Sequence, residues 1–202
     1  MNSSVEDYTT ANAWIQTFTG RKFNFLNPDP QSISIEDIGQ ALSQQCRFSG
    51  HLRWSYSVAQ HSVLCSLAVD TRSPIVKIQA LMHDAQEAYV VDLPRPLKRC
   101  GKIVGYDEIE EACWLAVAKR FDIPPKLDSA VKEVDTRMMM TERRDLMSTS
   151  SENWATESFK PYSFRIEPWI QDYAKHRFIK RFFELNNEIV FAKMEAAHAN
   201  LG

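Results

Sequence analysis

Glycine, proline and cysteine are all scarce in this chain, at 6, 9 and 4 of 202 residues. So few breakers exclude a collagen-like repeat or a low-complexity linker, and a content of 44% hydrophobic and 11% aromatic residues excludes disorder. Cys46, Cys65, Cys100 and Cys113 show neither CxxC pairing nor a zinc-finger rhythm, so they read as free thiols rather than a disulfide framework. No sign of charge dominates: 24 Lys and Arg stand against 26 Asp and Glu, for a net charge of −2. Without a global basic field, polymeric nucleic acid is a poor partner. No run approaches the ~18 apolar residues of a membrane span, so no membrane partner is expected. The opening MNSSVEDYTTANAW is acidic and polar where a secretory leader is basic and then apolar, and the expected location is the cytoplasm. What remains is a globular protein long enough for one core, read as a single domain over residues 1–202.

The hydrophobic periodicity is mostly helical and predicts an all-α fold. A first helix is expected from about Ser4 to Phe18, ended by Gly20, followed by a loop or short hairpin in RKFNFLNPDP. Ser34 with Asp37 forms a relaxed capping box for a helix reaching about Gln45. Ser57 caps the next helix, whose apolar positions Val58, Leu64, Cys65 and Ala68 share a side with His61, so His61 points inward. Ser73 and Pro74 start a helix expected to run to about Tyr89. After DLPRPLK, a further helix spans GYDEIEEACWLAVAKRFD and stops at IPP. Another covers about Asp128 to Met147, with Asp135 beside its apolar stripe, where an unpaired carboxylate is costly and needs a partner. Its Met138–Met140 run reads as core filler. Residues 148–167 read as a long loop, and Pro168 opens a last amphipathic helix. The exposed Phe and Tyr of that helix point to a homo-oligomer.

His61, His83, Asp84 and Asp135 fall on three inward helix faces, and imidazoles with carboxylates suit a borderline divalent metal. The spacings are too long for a local metal loop, but packed helices can assemble such a site, and a cation offsets the desolvation of buried acids. Mixed ligands of this kind admit Mn, Co, Fe, Zn or Mg. On an octahedral ion, four protein ligands leave positions for an attacking water and a phosphate oxygen. A continuous helix puts Glu87, three residues after Asp84 and four after His83, one turn along on the same side, which makes it the candidate for proton transfer. Arg47 and His51 in the loop before the His61 helix, and Lys98 after the motif, are candidate phosphate clamps. Within TERRDLM, Arg143 lies near the Asp135 face with Glu142 and Asp145 equally near, which reads as an internal ion-pair network.

The string HDAQEAYVVDLPRPLK, together with His61 and the distant Asp135, resembles the HD-domain metal-dependent phosphohydrolases. CRFSGH, SVAQHSVL and TERRDLM look closer to small deoxynucleoside triphosphohydrolases acting on dATP, and HDAQEAYVVDLPRPLK to small bacterial 5'-deoxynucleotidases. The resemblance implies a compact helical bundle of the HD type around one central divalent metal ion held by His61, His83, Asp84 and Asp135. It implies a catalytic role for Glu87, and catalysis or sugar recognition for Asp92. It also makes Arg47 a phosphate ligand and Phe48 a wall of the nucleoside pocket. The expected activity is cleavage of a dNTP to deoxynucleoside and tripolyphosphate. Hydrolysis of dNMPs, a cyclic nucleotide or alarmone substrate, and a non-catalytic nucleotide sensor with a structural metal stand as alternatives.

Overall fold

In the computed structural model, which describes residues 11–154 and 158–199, the chain is mostly helical. It opens with a hairpin of β1 (Trp14–Gln16) and β2 (Lys22–Asn24), paired antiparallel with Ile15 opposite Phe23. The first expected helix is therefore corrected. Its stretch from 4 to 10 lies outside the described residues, and from Trp14 on the chain is a strand. A turn wins here because Thr17 N–H bonds Arg21 O at 2.9 Å, Gly20 N–H bonds Thr17 O at 3.0 Å, and Gly20 takes φ +82° without steric cost.

Helix α1 (Ile35–Gln44) begins at Ser34, whose hydroxyl oxygen accepts from Asp37 N–H at 3.1 Å. The Asp37 carboxylate also accepts from Ser34 Oγ at 2.8 Å, and from the Thr19 N–H and hydroxyl at 2.7 and 2.9 Å. That small network ties the hairpin to the helix, and Phe23 completes the join by stacking on Tyr89 with ring centroids 3.8 Å apart.

Helix α2 (Val58–Ala68) is capped by Ser57, and α3 (Pro74–Met82) by Ser73 with Pro74 at its first position, as the sequence predicts. Helix α3 ends earlier than expected. Residues 83–86 form tight turns held by i→i+3 bonds such as Ala85 N–H to Met82 O at 2.9 Å and Glu87 N–H to Asp84 O at 3.0 Å. A single turn, α4 (Glu87–Val90), follows, then α5 (Arg95–Lys98), started by Pro94 and carrying Pro96. Helix α6 (Tyr106–Arg120) ends before Ile123 and the two prolines after it, and α7 (Ser129–Leu146) is capped by the Asp128 side chain. The described part of the stretch from 148 to 167 carries no helix or strand, as expected. The last helix, α8 (Gln171–Ala199), starts three residues past Pro168: Trp169 N–H is bonded instead to Gln60 Oε1 at 2.8 Å.

Helix α8 lies across α1, α2 and α3, while α7 packs on α2 and α3. Ile38, Leu42, Val58, Leu81, Val117, Phe178 and Leu185 fill the main core. Gly39 lets α1 approach α8 closely, since a side chain there would start 2.8 Å from Ile179 Cγ1. A second cluster, with Tyr56, Cys65, Val134, Met138 and Leu146, joins α2 to α7. Met138 and Met140 are buried, and the four cysteines are free, as the sequence predicts. Among the described residues no helix is long and apolar enough to cross a membrane.

Candidate metal centre

Helix α2, the turn after α3 and helix α7 converge on one point, and each delivers part of the expected ligand set there. His61, in the middle of α2, is fully buried. Its Nδ1 lies 2.6 Å from Glu142 Oε1 of α7; because a carboxylate accepts, Nδ1 carries a proton, and Nε2 is the ring atom that faces inward. His83 is fixed the same way by a different partner, its Nδ1–H donating to the Ala80 carbonyl at 2.9 Å.

The two Nε2 atoms face each other 3.3 Å apart. Asp135 Oδ1 lies 3.3 Å from His61 Nε2 and 3.8 Å from His83 Nε2, and Asp84 Oδ2 lies 3.7 and 3.3 Å from the same atoms. Ligand atoms about 2.0–2.2 Å from a shared ion stand roughly 3–3.5 Å apart. Two opposed imidazole lone pairs repel unless a proton or a metal ion lies between them: burial opposes a proton on either ring, yet the surrounding acids raise both pKa values, so the space attracts positive charge. The donor set therefore fits a metal ion. The ligand atoms of His61, Cys65 and His83 also lie within 4.8 Å of one another, with Cys65 Sγ 3.5 Å from His61 Nε2. Burial pushes the Cys65 thiol up to about 11, so it stays protonated and is a weaker ligand than the two aspartates. Periodicity read Cys65 only as an apolar neighbour of His61, and its approach to the cluster is visible only in three dimensions.

Electrostatics favour a cation here. Burial alone opposes charge on Asp135, yet hydrogen bonds to His61 and His83 hold its carboxyl well below the usual range. Burial likewise opposes charge on Glu142, which Arg47 and His61 nonetheless keep low. The sequence alone places Glu142 in an ion-pair network with Arg143 and Asp145. Two turns along α7 from Asp135, it faces the same cluster and orients the His61 ring. Arg143 points away, with Nη2 donating to Glu152 O at 2.8 Å and the guanidinium 4.7 Å from the Trp154 ring.

Glu87 sits beside the cluster, 5% exposed, with Oε2 lacking a hydrogen-bond partner among the described residues. Burial, then Asp84 and Asp92, raise its pKa well above the usual carboxylate value. The continuous helix expected to place it is absent; the tight turns at residues 83–86 bring it there instead. Lys98 Nζ approaches Glu87 Oε1 at 3.8 Å and Glu110 Oε1 at 2.5 Å. Asp92 is partly buried, and burial followed by Asp84 raises its pKa against the opposing charge of Arg47. Gln45, just past α1, holds this segment at both ends: its Nε2 donates to Glu87 O at 2.8 Å, and its Oε1 accepts from Asp92 N–H at 3.0 Å. Between them Val91 takes φ 72°, ψ 150°, a region that a β-branched residue occupies only under strain.

Arg47 reaches the centre, but it faces acids. Its Nε and Nη2 each lie 3.3 Å from Glu142 Oε2, and Nη1 lies 3.5 Å from Asp84 Oδ2. Phe48 has φ 54°, with its ring 5.4 Å from the Arg47 guanidinium and 6.1 Å from the Trp154 ring, so an aromatic wall stands beside that arginine. His51 is the expected residue that the fold leaves out: it is exposed, and no contact among the described residues joins its imidazole to the cluster. The reason is local, because the left-handed Phe48 and Ser49 turn the chain before His51. Arg95, which no sequence signal singles out, places Nη2 3.5 Å from Asp135 Oδ2 while its side chain remains 57% exposed.

Over 176 residues the chain is 38% identical to YfdR, an uncharacterized protein of Escherichia coli strain K12, in a match covering 86% of this chain and 96% of that protein. It is also 35% identical over 127 residues to an uncharacterized protein of Rhodobacter capsulatus, covering 59% of this chain and 64% of the other. No family model matches the chain.

Proposed function

The chain belongs to the family of YfdR, and we propose that it is a metal-dependent phosphohydrolase of the HD type that acts on deoxynucleotides, cleaving a dNTP to deoxynucleoside and tripolyphosphate. The observation that carries this reading is the meeting of His61 Nε2, His83 Nε2, Asp84 Oδ2 and Asp135 Oδ1 at separations of 3.3–3.8 Å, with the buried carboxyl of Glu87 alongside. His61, His83, Asp84 and Asp135 are the residues that would hold a divalent ion. Such an ion supplies positive charge against the phosphate oxygens and makes water a nucleophile near neutral pH.

The protein's own groups divide the remaining work. Phosphate hydrolysis requires that water lose a proton and that the leaving 5' oxygen gain one. Glu87 is suited to both transfers: burial raises its pKa well above the ordinary carboxylate value, and Oε2 has no hydrogen-bond partner among the described residues to compete for the proton. Lys98 and the exposed Arg95 stand on α5 beside Glu87 and Asp135, positioned for the oxygens of a polyphosphate chain. Arg47 balances Glu142 and Asp84, and Phe48 with Trp154 offers a face for the base. Asp92, held by Gln45, is a hydrogen-bond partner for a sugar hydroxyl.

Turnover of a panel of dNTPs and dNMPs with Mn, Co or Mg, with products separated by chromatography, tests the reading. Tripolyphosphate and a deoxynucleoside from one dNTP are expected. Phosphate from dNMPs alone makes the protein a 5'-deoxynucleotidase, and nucleotide binding without any product overturns the catalytic reading.

A further inference from the structure

Just past α1 the chain is extended: Gln45 has φ −87°, ψ 122° and Cys46 has φ −86°, ψ 127°. This short stretch pairs antiparallel with the residues that lead into α2. Cys46 stands opposite Ser57, Arg47 N–H bonds Tyr56 O at 2.9 Å, and Val58 N–H bonds Gln45 O at 3.1 Å. Alternate side chains of an extended segment leave on the same face. Gln45 and Arg47 therefore both turn toward the candidate metal centre, one to each of its walls. Arg47 goes to Glu142 of α7, and Gln45 to the segment from Glu87 to Asp92. The same pairing runs into Ser57, the cap of the helix that carries His61, so the mount for both side chains is tied to the centre itself.

The segment from Glu87 to Asp92 does not hold its own shape. After the single turn of α4, Val91 takes φ 72°, ψ 150°, and its side chain is 56% exposed, so no packing of that side chain offsets the strain. What holds the backbone comes from outside it. Tyr106 of α6 donates its hydroxyl to Val91 O at 2.8 Å. Gln45 grips on both sides of Val91, its Nε2 donating to Glu87 O at 2.8 Å and its Oε1 accepting from Asp92 N–H at 3.0 Å. One planar amide carries both the donor and the acceptor that this grip requires; a carboxylate lacks the donor, and a thioether offers only a weak acceptor. Glu87 and Asp92 are the two ends of the grip, so a shift of the backbone between them moves both carboxyl groups relative to the metal-ligand atoms.

We propose that Gln45 is a positioning residue: by bridging Glu87 and Asp92 across the strained Val91, it fixes where both carboxyl groups stand at the centre. Its role in turnover rests on the phosphohydrolase reading above, in which Glu87 carries the proton and Asp92 meets the sugar. Among the described residues Gln45 makes no hydrogen bond to His61, His83, Asp84 or Asp135, so it acts through the two acids and not through the metal.

Gln45→Met, which removes both bonds at similar side-chain length, tests this, and Gln45→Asn, which keeps the amide but shortens its reach by one methylene, is the milder variant. The control is Gln79→Met on α3. There a second glutamine grips backbone in the same manner, donating to Pro124 O and Lys126 O at 3.0 and 2.9 Å and accepting from Asp128 N–H at 3.2 Å, away from Glu87 and Asp92. All three variants should retain wild-type metal content by elemental analysis. In both Gln45 variants, amide hydrogen exchange at Asp92, followed by NMR, should speed up about tenfold or more. Their kcat on the nucleotide that wild type turns over should fall about tenfold to a hundredfold. Gln79→Met should leave both quantities as in wild type. Unchanged Asp92 exchange or unchanged kcat in the Gln45 variants, or an equal fall of kcat in Gln79→Met, overturns the positioning role. A wild type that turns over no nucleotide of the panel overturns the phosphohydrolase reading instead, and Asp92 exchange still decides the clamp: faster exchange in the Gln45 variants supports it, and unchanged exchange removes it as well.

Discussion

Glu87 and Glu142 are buried carboxylates on opposite walls of the same cluster, and they differ in how fully they are partnered. On the α7 wall, Glu142 is held between Arg47 and His61, which keep its charge in place. On the α4 wall, Glu87 has one lysine at 3.8 Å, an oxygen without a hydrogen-bond partner among the described residues, and two nearby aspartates that disfavour its charge. A carboxylate whose oxygens are all occupied holds its neighbours in position. One left incompletely satisfied in a buried place is ready to exchange a proton. Under the proposed function, the two walls separate a positioning role from a chemical one.

The largest effect should come from the residue between them. Asp84→Ala is expected to abolish both metal occupancy, measured by elemental analysis, and turnover; full metal content in that variant would remove Asp84 from the ligand set. The two glutamates should then diverge. Glu142→Ala leaves Arg47 and His61 without their buried partner and should lower stability in urea by about 3–5 kcal/mol. Its metal affinity should also fall about tenfold, because the His61 ring loses its orienting acceptor. Glu87→Gln should keep both fold and metal while turnover collapses, and retained turnover would end its assignment as the proton carrier.

Asp145 extends the comparison to a satisfied carboxylate near the surface end of α7. Burial opposes its charge, yet Arg144, the Ile166 N–H and Arg165 hold its pKa at about 2. Because the folded value lies below the unfolded one, this contribution is complete above about pH 4 and is lost as pH falls through about 2. Asp145→Asn should therefore be less stable than wild type by about 1–2 kcal/mol at neutral pH. The difference should shrink toward pH 2 in thermal melts, and a gap independent of pH would show that charge is not the cause. The smallest effect should be at Val91, where glycine relieves a strain of about 1–3 kcal/mol at some cost in chain entropy. Val91→Gly should be more stable by about 1 kcal/mol in urea and slower in turnover if the strain positions Asp92. A variant equally fast would show that the Gln45 clamp alone is sufficient.

Helix starts were the most legible part of the fold. Ser34, Ser57 and Ser73 all start helices as their local sequences predict, because a capping oxygen and the N–H it accepts from lie three residues apart, and the helix expected from about Asp128 begins there, capped by that side chain. The inward faces of His61 and Asp135 were legible for a related reason, since a polar residue within or beside an apolar stripe is carried inward with it. The hairpin at residues 14–24 was not legible, because Trp14, Ile15 and Phe18 also suit a helical stripe, and what decides between the two is the docking of Phe23 on Tyr89. Nor was the early end of α3, where the periodicity continues through Ala85 to Tyr89 while the backbone tightens.

By itself the sequence determined the types of the candidate ligands, the inward placement of His61 and Asp135 and the helices that bear those two, since these follow from side-chain chemistry and short-range periodicity. Only the tertiary structure decided that Glu142 orients His61, that Arg47 faces acids, that Arg95 reaches Asp135 and that His51 stays outside. Those outcomes depend on where separate helices cross, which is set by packing between residues tens of positions apart, and neither local spacing nor composition encodes it directly.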